Sequence, residues 1–233
     1  MTWKQAFTSS VGKKLVMGLT GVFLILFLVV HAGINACVFA DLGENGDNGA
    51  MFNKAAHFMG STVLIRIMEI GLFAGIILHI YQGYLLTLEN KAKRSVGYAV
   101  AYNDGSKWYS RSMGLLGTLI LLFLVLHLYH FWTPARFTGK GLVDVDYNGI
   151  AMHNMFGLMK ATFTEAWIVV VYALGCISLA YHLAHGFQSA FKTLGVHNKR
   201  YNLMLISLGY GYAIIIALLF ISMPLSFFMG WIG

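Results

Sequence analysis

The sequence is poor in charged residues, and this scarcity narrows the class of protein. Asp, Glu, Lys and Arg make up 11% of its 233 residues, whereas hydrophobic residues make up 58%. Soluble domains carry about 25% charged residues. The composition therefore excludes an ordinary soluble domain. It predicts a single all-α membrane domain over residues 1–233, in which transmembrane helices pack as a bundle and short loops join them.

Cysteine is equally scarce, which excludes several kinds of redox centre. Cys37 and Cys176 are far apart in apolar stretches, where we expect them to act as small buried side chains. The chain has no C-x-x-C-H motif for covalent haem, no cysteine cluster for an iron–sulfur centre and no G-x-G-x-x-G dinucleotide fingerprint. A redox group in this chain would have to be held by axial side-chain ligands and by packing.

Five apolar stretches are each longer than the roughly 20 residues needed to cross a bilayer. They cover residues 15–38, 62–88, 112–133, 164–191 and 203–229. The connections carry most of the turn-forming residues, including Pro134 and the segment 144–149. The first stretch follows Lys13 and Lys14 as a signal peptide would, but it is too long and lacks a convincing cleavage site, so we expect it to be retained.

Most basic residues lie on one side of the predicted bundle. One side carries the N-terminus, the second-to-third connection and the fourth-to-fifth connection, with Lys4, Lys13, Lys14, Lys91, Lys93, Arg94, Lys107, Arg111, Lys192, Lys199 and Arg200. The other side has few basic residues and most of the acidic ones. The positive-inside rule then predicts a cytoplasmic N-terminus and an external C-terminus, in the cytoplasmic membrane of a bacterium.

Histidine stands out against this apolar background, because ionisable groups at bilayer depth are costly and usually functional. His31, His79, His127 and His182 lie in the first, second, third and fourth spans. By residue count, His31 and His127 are roughly 10 Å below the outer surface, and the other two are roughly 13 Å above the inner surface. The sequence therefore predicts an outer pair, His31 with His127, and an inner pair, His79 with His182, separated in depth by on the order of 10 Å.

Two imidazoles from different helices at one depth are the ligand set of a low-spin b-type haem. Two such layers predict two stacked haems. Gly83 and Gly186 follow the inner histidines by four residues, on the same helix faces. They leave room for a flat macrocycle beside its ligands, or they serve only close helix packing; both interpretations stay open.

Other histidines compete for these roles. His130 and His185 each follow a proposed ligand by three residues, so either is an alternative ligand or a contact to a propionate or quinone. His57, His153 and His197 are expected in loops, in contact with solvent.

The chain resembles the cytochrome b membrane subunit of succinate dehydrogenases and fumarate reductases, in its single-chain form with five helices and two haems. Four markers carry the resemblance, in order and over nearly the whole length. They are Thr20-Gly21 leading through Phe23, Leu26 and Phe27 to His31; His79 with the basic segment Lys91, Lys93 and Arg94; His127-Leu128-Tyr129; and His182 with Gly186 and Phe187.

The resemblance implies that His31 and His127 bind the distal haem and that His79 and His182 bind the proximal haem. It implies a flavoprotein subunit for succinate or fumarate chemistry, an iron–sulfur subunit that exchanges electrons with this chain, and a membrane quinone, with menaquinone as the expected type. Some fumarate reductases of this family have a glutamate for proton movement where this chain has Ala180, which favours succinate oxidation.

Contacts to the haem propionates and to the quinone are assigned to polar residues near each layer. The propionate candidates are Arg66, Arg94, Arg111 and Lys192, and the quinone candidates are Asn35, His57, Tyr129 and His130. A quinone site at the inner side near Trp108 and Arg111 is equally open.

Two other classes remain compatible with the sequence. One is a dihaem cytochrome b anchor of another quinone-linked dehydrogenase or hydrogenase, which would share the haems but have different partners. The other is a metal transporter that uses histidines as transit ligands, although it does not explain why the histidines pair at two depths.

Overall fold

The computed structural model describes residues 9–43, 46–92, 108–196 and 198–233, and it confirms the five predicted spans. Five helices are long and apolar enough to cross a membrane. We label them α1 (Ser10–Ala36), α3 (Val63–Ala92), α5 (Met113–His127), α7 (Ala166–Thr193) and α8 (Lys199–Phe228). By length and composition this is a multi-pass membrane protein.

Side-chain caps fix where two of these helices begin. The Ser9 hydroxyl accepts a hydrogen bond from the Gly12 N–H at the start of α1, and the Asn198 side chain accepts one from the Arg200 N–H at the start of α8. Each cap satisfies an N–H that the first helical turn leaves without a partner. At its other end α1 continues into a 3₁₀ turn, Cys37–Asp41.

The third span is longer than expected, because helical structure continues past Pro134. Two π-helical turns, Leu128–Trp132 and Pro134–Thr138, extend α5, so the apolar span runs over Met113–Thr138 rather than ending near residue 133. Pro134 stands at the first position of its turn, where its missing N–H is least costly. Its carbonyl accepts the Gly139 N–H at 3.0 Å, which closes the last π turn.

Two predicted connections are folded elements. They are the helices α2 (Ala50–Ser61) and α6 (Met155–Thr162) and the antiparallel hairpin of β1 (Asp144–Tyr147) and β2 (Ile150–His153). We call this the capped end of the bundle. His57 therefore lies on a helix and His153 on a strand, where we had expected loops. The opposite end, which we call the basic end, carries the short helix α4 (Trp108–Arg111).

A buried amide holds the capped end together. Asn53 of α2 is fully buried, and its Nδ2 group donates to the Tyr147 hydroxyl and to Asn154 Oδ1, both at 3.1 Å. Its Oδ1 atom accepts the Phe156 N–H at 2.9 Å. One side chain thus joins α2, the hairpin and α6, which explains why these segments order over the helix ends.

The long helices contact one another in a defined order. Helix α1 packs against α3, α7 and α8; α5 packs against α7 and touches α3; and α8 packs against α7. Many large apolar side chains on the outer faces stay exposed, including Leu64, Ile67 and Ile70 on α3. In a bilayer these faces contact lipid chains, so their exposure costs nothing there.

We expect Asn53→Ala to lower the free energy of unfolding by about 1–3 kcal/mol, because it leaves the buried Phe156 N–H without its partner and removes one of the two hydrogen bonds that Asn154 Oδ1 accepts. Asn90→Ala is the matched control, since Asn90 is exposed near the end of α3. Thermal unfolding of both variants in one detergent measures the difference. Equal unfolding temperatures would contradict the role assigned to Asn53.

Candidate functional site

The predicted outer pair meets in space. The imidazole rings of His31, on α1, and His127, at the end of α5, lie with their centres 5.7 Å apart and their planes at 90°. Aromatic rings surround them: Phe27 stacks on His31 at 5.2 Å and Phe123 stacks on His127 at 5.8 Å, each from one turn earlier on the same helix. Phe220 of α8 lies 5.6 Å from His31. The outer pair therefore sits in an aromatic environment.

The predicted inner pair also meets, in different surroundings. The rings of His79, on α3, and His182, on α7, have centres 6.2 Å apart and planes at 69°. Glycines face these rings from three helices. A Cβ added to Gly21 would lie 3.7 Å from His79, and one added to Gly117 or Gly186 would lie 3.9 or 4.0 Å from His182. The absent side chains leave the space beside the rings free.

Gly83, the other predicted packing glycine, faces a neighbouring helix. A Cβ at Gly83 would lie 3.1 Å from the terminal methyl of Met17 on α1. Its role in the structure is therefore close α1–α3 packing. A role for Gly83 beside a macrocycle stays a prediction, whereas Gly186 does lie beside His182.

Two contacts between helices give a second measure of how far apart the two layers lie. Thr20 on α1 contacts His79 of the inner pair, and His31 of the outer pair lies 11 residues later on the same helix. On α7, Tyr172 contacts His127, and His182 lies 10 residues later. At 1.5 Å per residue these offsets correspond to about 15–17 Å along the helices, against a predicted separation on the order of 10 Å.

Two ring nitrogens of these histidines are buried and have no hydrogen-bond partner. They are Nδ1 of His127 and Nδ1 of His182, and the only other such side-chain atoms in the described ranges belong to the amide of Gln82. Buried polar atoms without partners are rare in proteins. One of the two histidine atoms lies in each predicted layer.

The spacing of each ring pair fits a shared metal ion. Metal–imidazole bonds are about 2 Å long. When the distance from the bound nitrogen to the ring centre is added on each side, two imidazoles on opposite sides of one metal ion have ring centres about 6 Å apart. The observed distances are 5.7 and 6.2 Å. Within the described ranges, no group of three or more His, Cys, Asp or Glu side chains is placed to hold a metal ion. The donor set is thus two imidazoles per layer, which suits an iron whose other ligands come from a macrocycle.

Two of the quinone candidates, His130 and Asn35, have hydrogen-bond partners of their own. His130 lies 3.0 Å from the Tyr172 hydroxyl through Nδ1, and its ring stacks on that tyrosine. Tyr129 is exposed, with its ring 5.6 Å from His130. Asn35 donates to the His31 carbonyl at 2.8 Å and lies 3.4 Å from His31 Nδ1, so it belongs to the outer pair. His57 is half-buried on α2 at the capped end.

Arg66, a propionate candidate, already has a charged partner. It forms an ion pair with Glu69 at 3.5 Å, and its side chain is half exposed. Glu69 has stronger partners across the helix interface. Arg136 donates to both carboxylate oxygens at 3.1 and 3.2 Å, and the Trp132 indole N–H donates as well. This cluster ties α3 to the π-helical extension of α5 near the capped end.

The remaining propionate candidates lie at the basic end. Arg111 ends helix α4 and is exposed, and Lys192 is exposed in the last turn of α7, ten residues beyond His182. Arg94 lies outside the described residues. Lys13, in contrast, is mostly buried and paired with Glu89, which joins α1 to α3.

Several residues that contact the histidines had no role in the sequence interpretation, and Tyr172 and Thr20 are the polar ones among them. Tyr172 is buried between His127 and His130, and Thr20 contacts His79. Tyr172 had no signal in the sequence, since a tyrosine on an apolar span is common. Thr20 was part of a marker motif but had no assigned role.

No protein-family model matches the chain, and no curated protein or solved structure matches it either.

We expect Arg136→Gln to lower the free energy of unfolding by about 1 kcal/mol more than Arg66→Gln does. Arg136 makes two carboxylate contacts and has a mostly buried side chain, whereas Arg66 is solvent-accessible and makes one longer contact. Thermal unfolding of the two single variants, each alone and combined with Glu69→Gln, separates the pair energies. Equal coupling of both arginines to Glu69 would contradict the assignment.

Proposed function

We propose that this chain is the dihaem cytochrome b membrane anchor of a succinate:quinone oxidoreductase, passing electrons between an iron–sulfur subunit and a membrane quinone. One observation carries the proposal: four histidines on four membrane helices meet as two pairs in two layers. A single histidine in a membrane helix is often only a hydrogen-bonded interior group. Two matched pairs in separate layers support a cofactor in each.

The four imidazoles would supply the axial ligands, with His31 and His127 for the distal haem and His79 and His182 for the proximal haem. When bound, two b haems supply a pair of one-electron carriers across the bilayer. The chain's own residues orient the rings and exclude water. Phe27 and Phe123 stack on the outer rings, and Thr20 contacts one inner ring. The four helices α1, α3, α5 and α7 would enclose both sites.

The two ends of the bundle would serve different partners. The basic end, with exposed Lys14, Arg111 and Lys192, would face the cytoplasm and the iron–sulfur subunit, which in turn contacts the flavoprotein subunit. Placing the basic end in the cytoplasm puts the N-terminus inside and the C-terminus outside, in a bacterial cytoplasmic membrane.

The quinone, with menaquinone as the expected type, would bind near one haem in an amphipathic cleft. His130 and Tyr129 lie beside the outer pair and Trp108 lies at the basic end, so the residues at both layers stay candidates. At the outer layer the His130 imidazole is hydrogen-bonded to Tyr172. A quinone oxygen bound there would lie next to this imidazole.

We expect the reduced-minus-oxidised spectrum of the purified chain to show two b-type components at two haems per chain. His79→Ala should abolish one component and His127→Ala the other, because each removes one axial ligand. His153→Ala is the control, since His153 is exposed on the hairpin and pairs with Asp144. A colourless wild-type chain, or two intact haems in His79→Ala, would overturn the proposal.

Purification from membranes tests the assignment against another dihaem anchor. The proposed complex should carry a flavoprotein subunit that oxidises succinate or reduces fumarate with a quinone analogue as partner. A dihaem chain that copurifies with a formate or hydrogen-oxidising subunit would retain the haem sites and contradict the succinate assignment.

A further inference from the structure

The Thr20-Gly21 step of α1 lies against the ring of His79. The Thr20 hydroxyl is 3.1 Å from His79 Nδ1, although the two residues are 59 positions apart. A Cβ on Gly21 would lie 3.7 Å from His79 Cε1, which is ordinary van der Waals contact. Any larger side chain at residue 21 would extend from that point towards the ring. These two neighbouring residues therefore face adjacent atoms of one imidazole.

The direction of the hydrogen bond follows from the other contacts of Thr20. Its hydroxyl lies 2.8 Å from the Val16 carbonyl and 3.2 Å from the Met17 carbonyl, and both of these oxygens can only accept. The single hydroxyl proton is therefore used within α1. The oxygen lone pair faces His79 Nδ1 as an acceptor, so that nitrogen carries the ring proton.

This arrangement selects one tautomer of a neutral imidazole. With the proton on Nδ1, the lone pair is on Nε2, which is the nitrogen then available to a metal. The outer shell of metal-binding histidines commonly works this way: an acceptor for one ring N–H fixes the ring orientation and raises the basicity of the other nitrogen.

A threonine hydroxyl that donates to the carbonyl four residues earlier does not by itself indicate a special role, because other threonines in this chain make the same bond. Thr87 and Thr118 donate to the carbonyls of Gly83 and Gly114 at 2.8 Å in the same way. Thr20 differs because its free lone pair meets an imidazole of another helix. The partner ring, His182, has a buried Nδ1 with no hydrogen bond. Of the two rings in the inner pair, only His79 is therefore oriented by a hydrogen bond at Nδ1.

We propose that Thr20 and Gly21 form a seat that positions His79 as an axial ligand with Nε2 as its donor atom. The inference rests on the proposed function, since it concerns the haem of the inner pair. Thr20 acts through His79 and is a positioning residue. Its role explains why the α1 segment before the first ligand carries a polar residue and a glycine at this depth.

The test compares Thr20→Val with Thr20→Ser and Thr118→Val in the holo-protein. Valine matches threonine in shape but lacks the acceptor oxygen, whereas serine retains it. Thr118 makes the same intrahelical bond from an exposed site. The readouts are haem content and the midpoint potential of the component that His79→Ala removes.

In Thr20→Val we expect weaker haem retention at the inner site, by roughly tenfold or more. We also expect its potential to become more positive, by about tenfold in the one-electron equilibrium constant or about 59 mV, because a less basic imidazole stabilises ferric iron less. Thr20→Ser and Thr118→Val should match the wild type, and the outer component should not move in any variant.

Three results would overturn the seat: an unchanged inner component in Thr20→Val, equal changes in Thr20→Val and Thr20→Ser, or equal changes in Thr20→Val and Thr118→Val. The second would assign the effect to packing of the threonine methyl, and the third to loss of the intrahelical bond. All three leave the two wild-type haems in place, so they are distinct from a failure of the proposed function, in which the wild type itself lacks haem.

Discussion

Burial of imidazole rings among membrane helices is the constraint on which the rest of this structure depends. A bilayer offers no water to a polar ring, so each ring needs a partner inside the bundle. The four histidines on the membrane-spanning helices meet that need only in part: His31 lies against His127 and His79 lies against His182, but Nδ1 of His127 and Nδ1 of His182 have no hydrogen-bond partner among the described residues. Because each pair joins two helices, the pairs also set which helices face one another and at which depth.

Helix α1 has a special place in this arrangement, since it contributes to both layers. It carries His31 with Phe27 and Asn35 beside it, and eleven residues earlier it carries Thr20, which contacts His79. A shift of α1 along its axis would disturb both layers together. The folded capped end restrains such a shift. The 3₁₀ turn after α1 ends at Asp41, whose carboxylate accepts the backbone N–H groups of Asn48 and Gly233. The segments before α3 and after α8 are thereby tied to the end of α1.

The spans and the histidine pairs were predictable from the sequence because bilayer thickness fixes helix length and residue count gives depth. The capped end was not predicted, although Asn148-Gly149 is a typical hairpin turn and both residues adopt the positive φ that such a turn requires. The contact of His130 with Tyr172 was also beyond the sequence, because it depends on the rotation of α7 about its axis and on the π-helical turn that begins after His127. Residue count gives the separation of the layers only to its order of magnitude, since it takes each helix end as the membrane surface.

The two pairs share their ligand type but not their surroundings, and this difference bears on electron transfer. Stacked aromatic rings surround the outer pair, whereas glycines and a threonine hydroxyl surround the inner pair. Hydrogen bonding to an axial histidine and the polarity of its pocket are two means by which a protein sets a haem potential. Two haems held in these sites would therefore differ in potential without any difference in ligands. With a haem bound, the acceptor at Thr20 would favour its oxidised form, and this would make the inner haem the better electron donor to the outer one. That direction would agree with the proposed entry of electrons at the basic end and with the proposed oxidation of succinate.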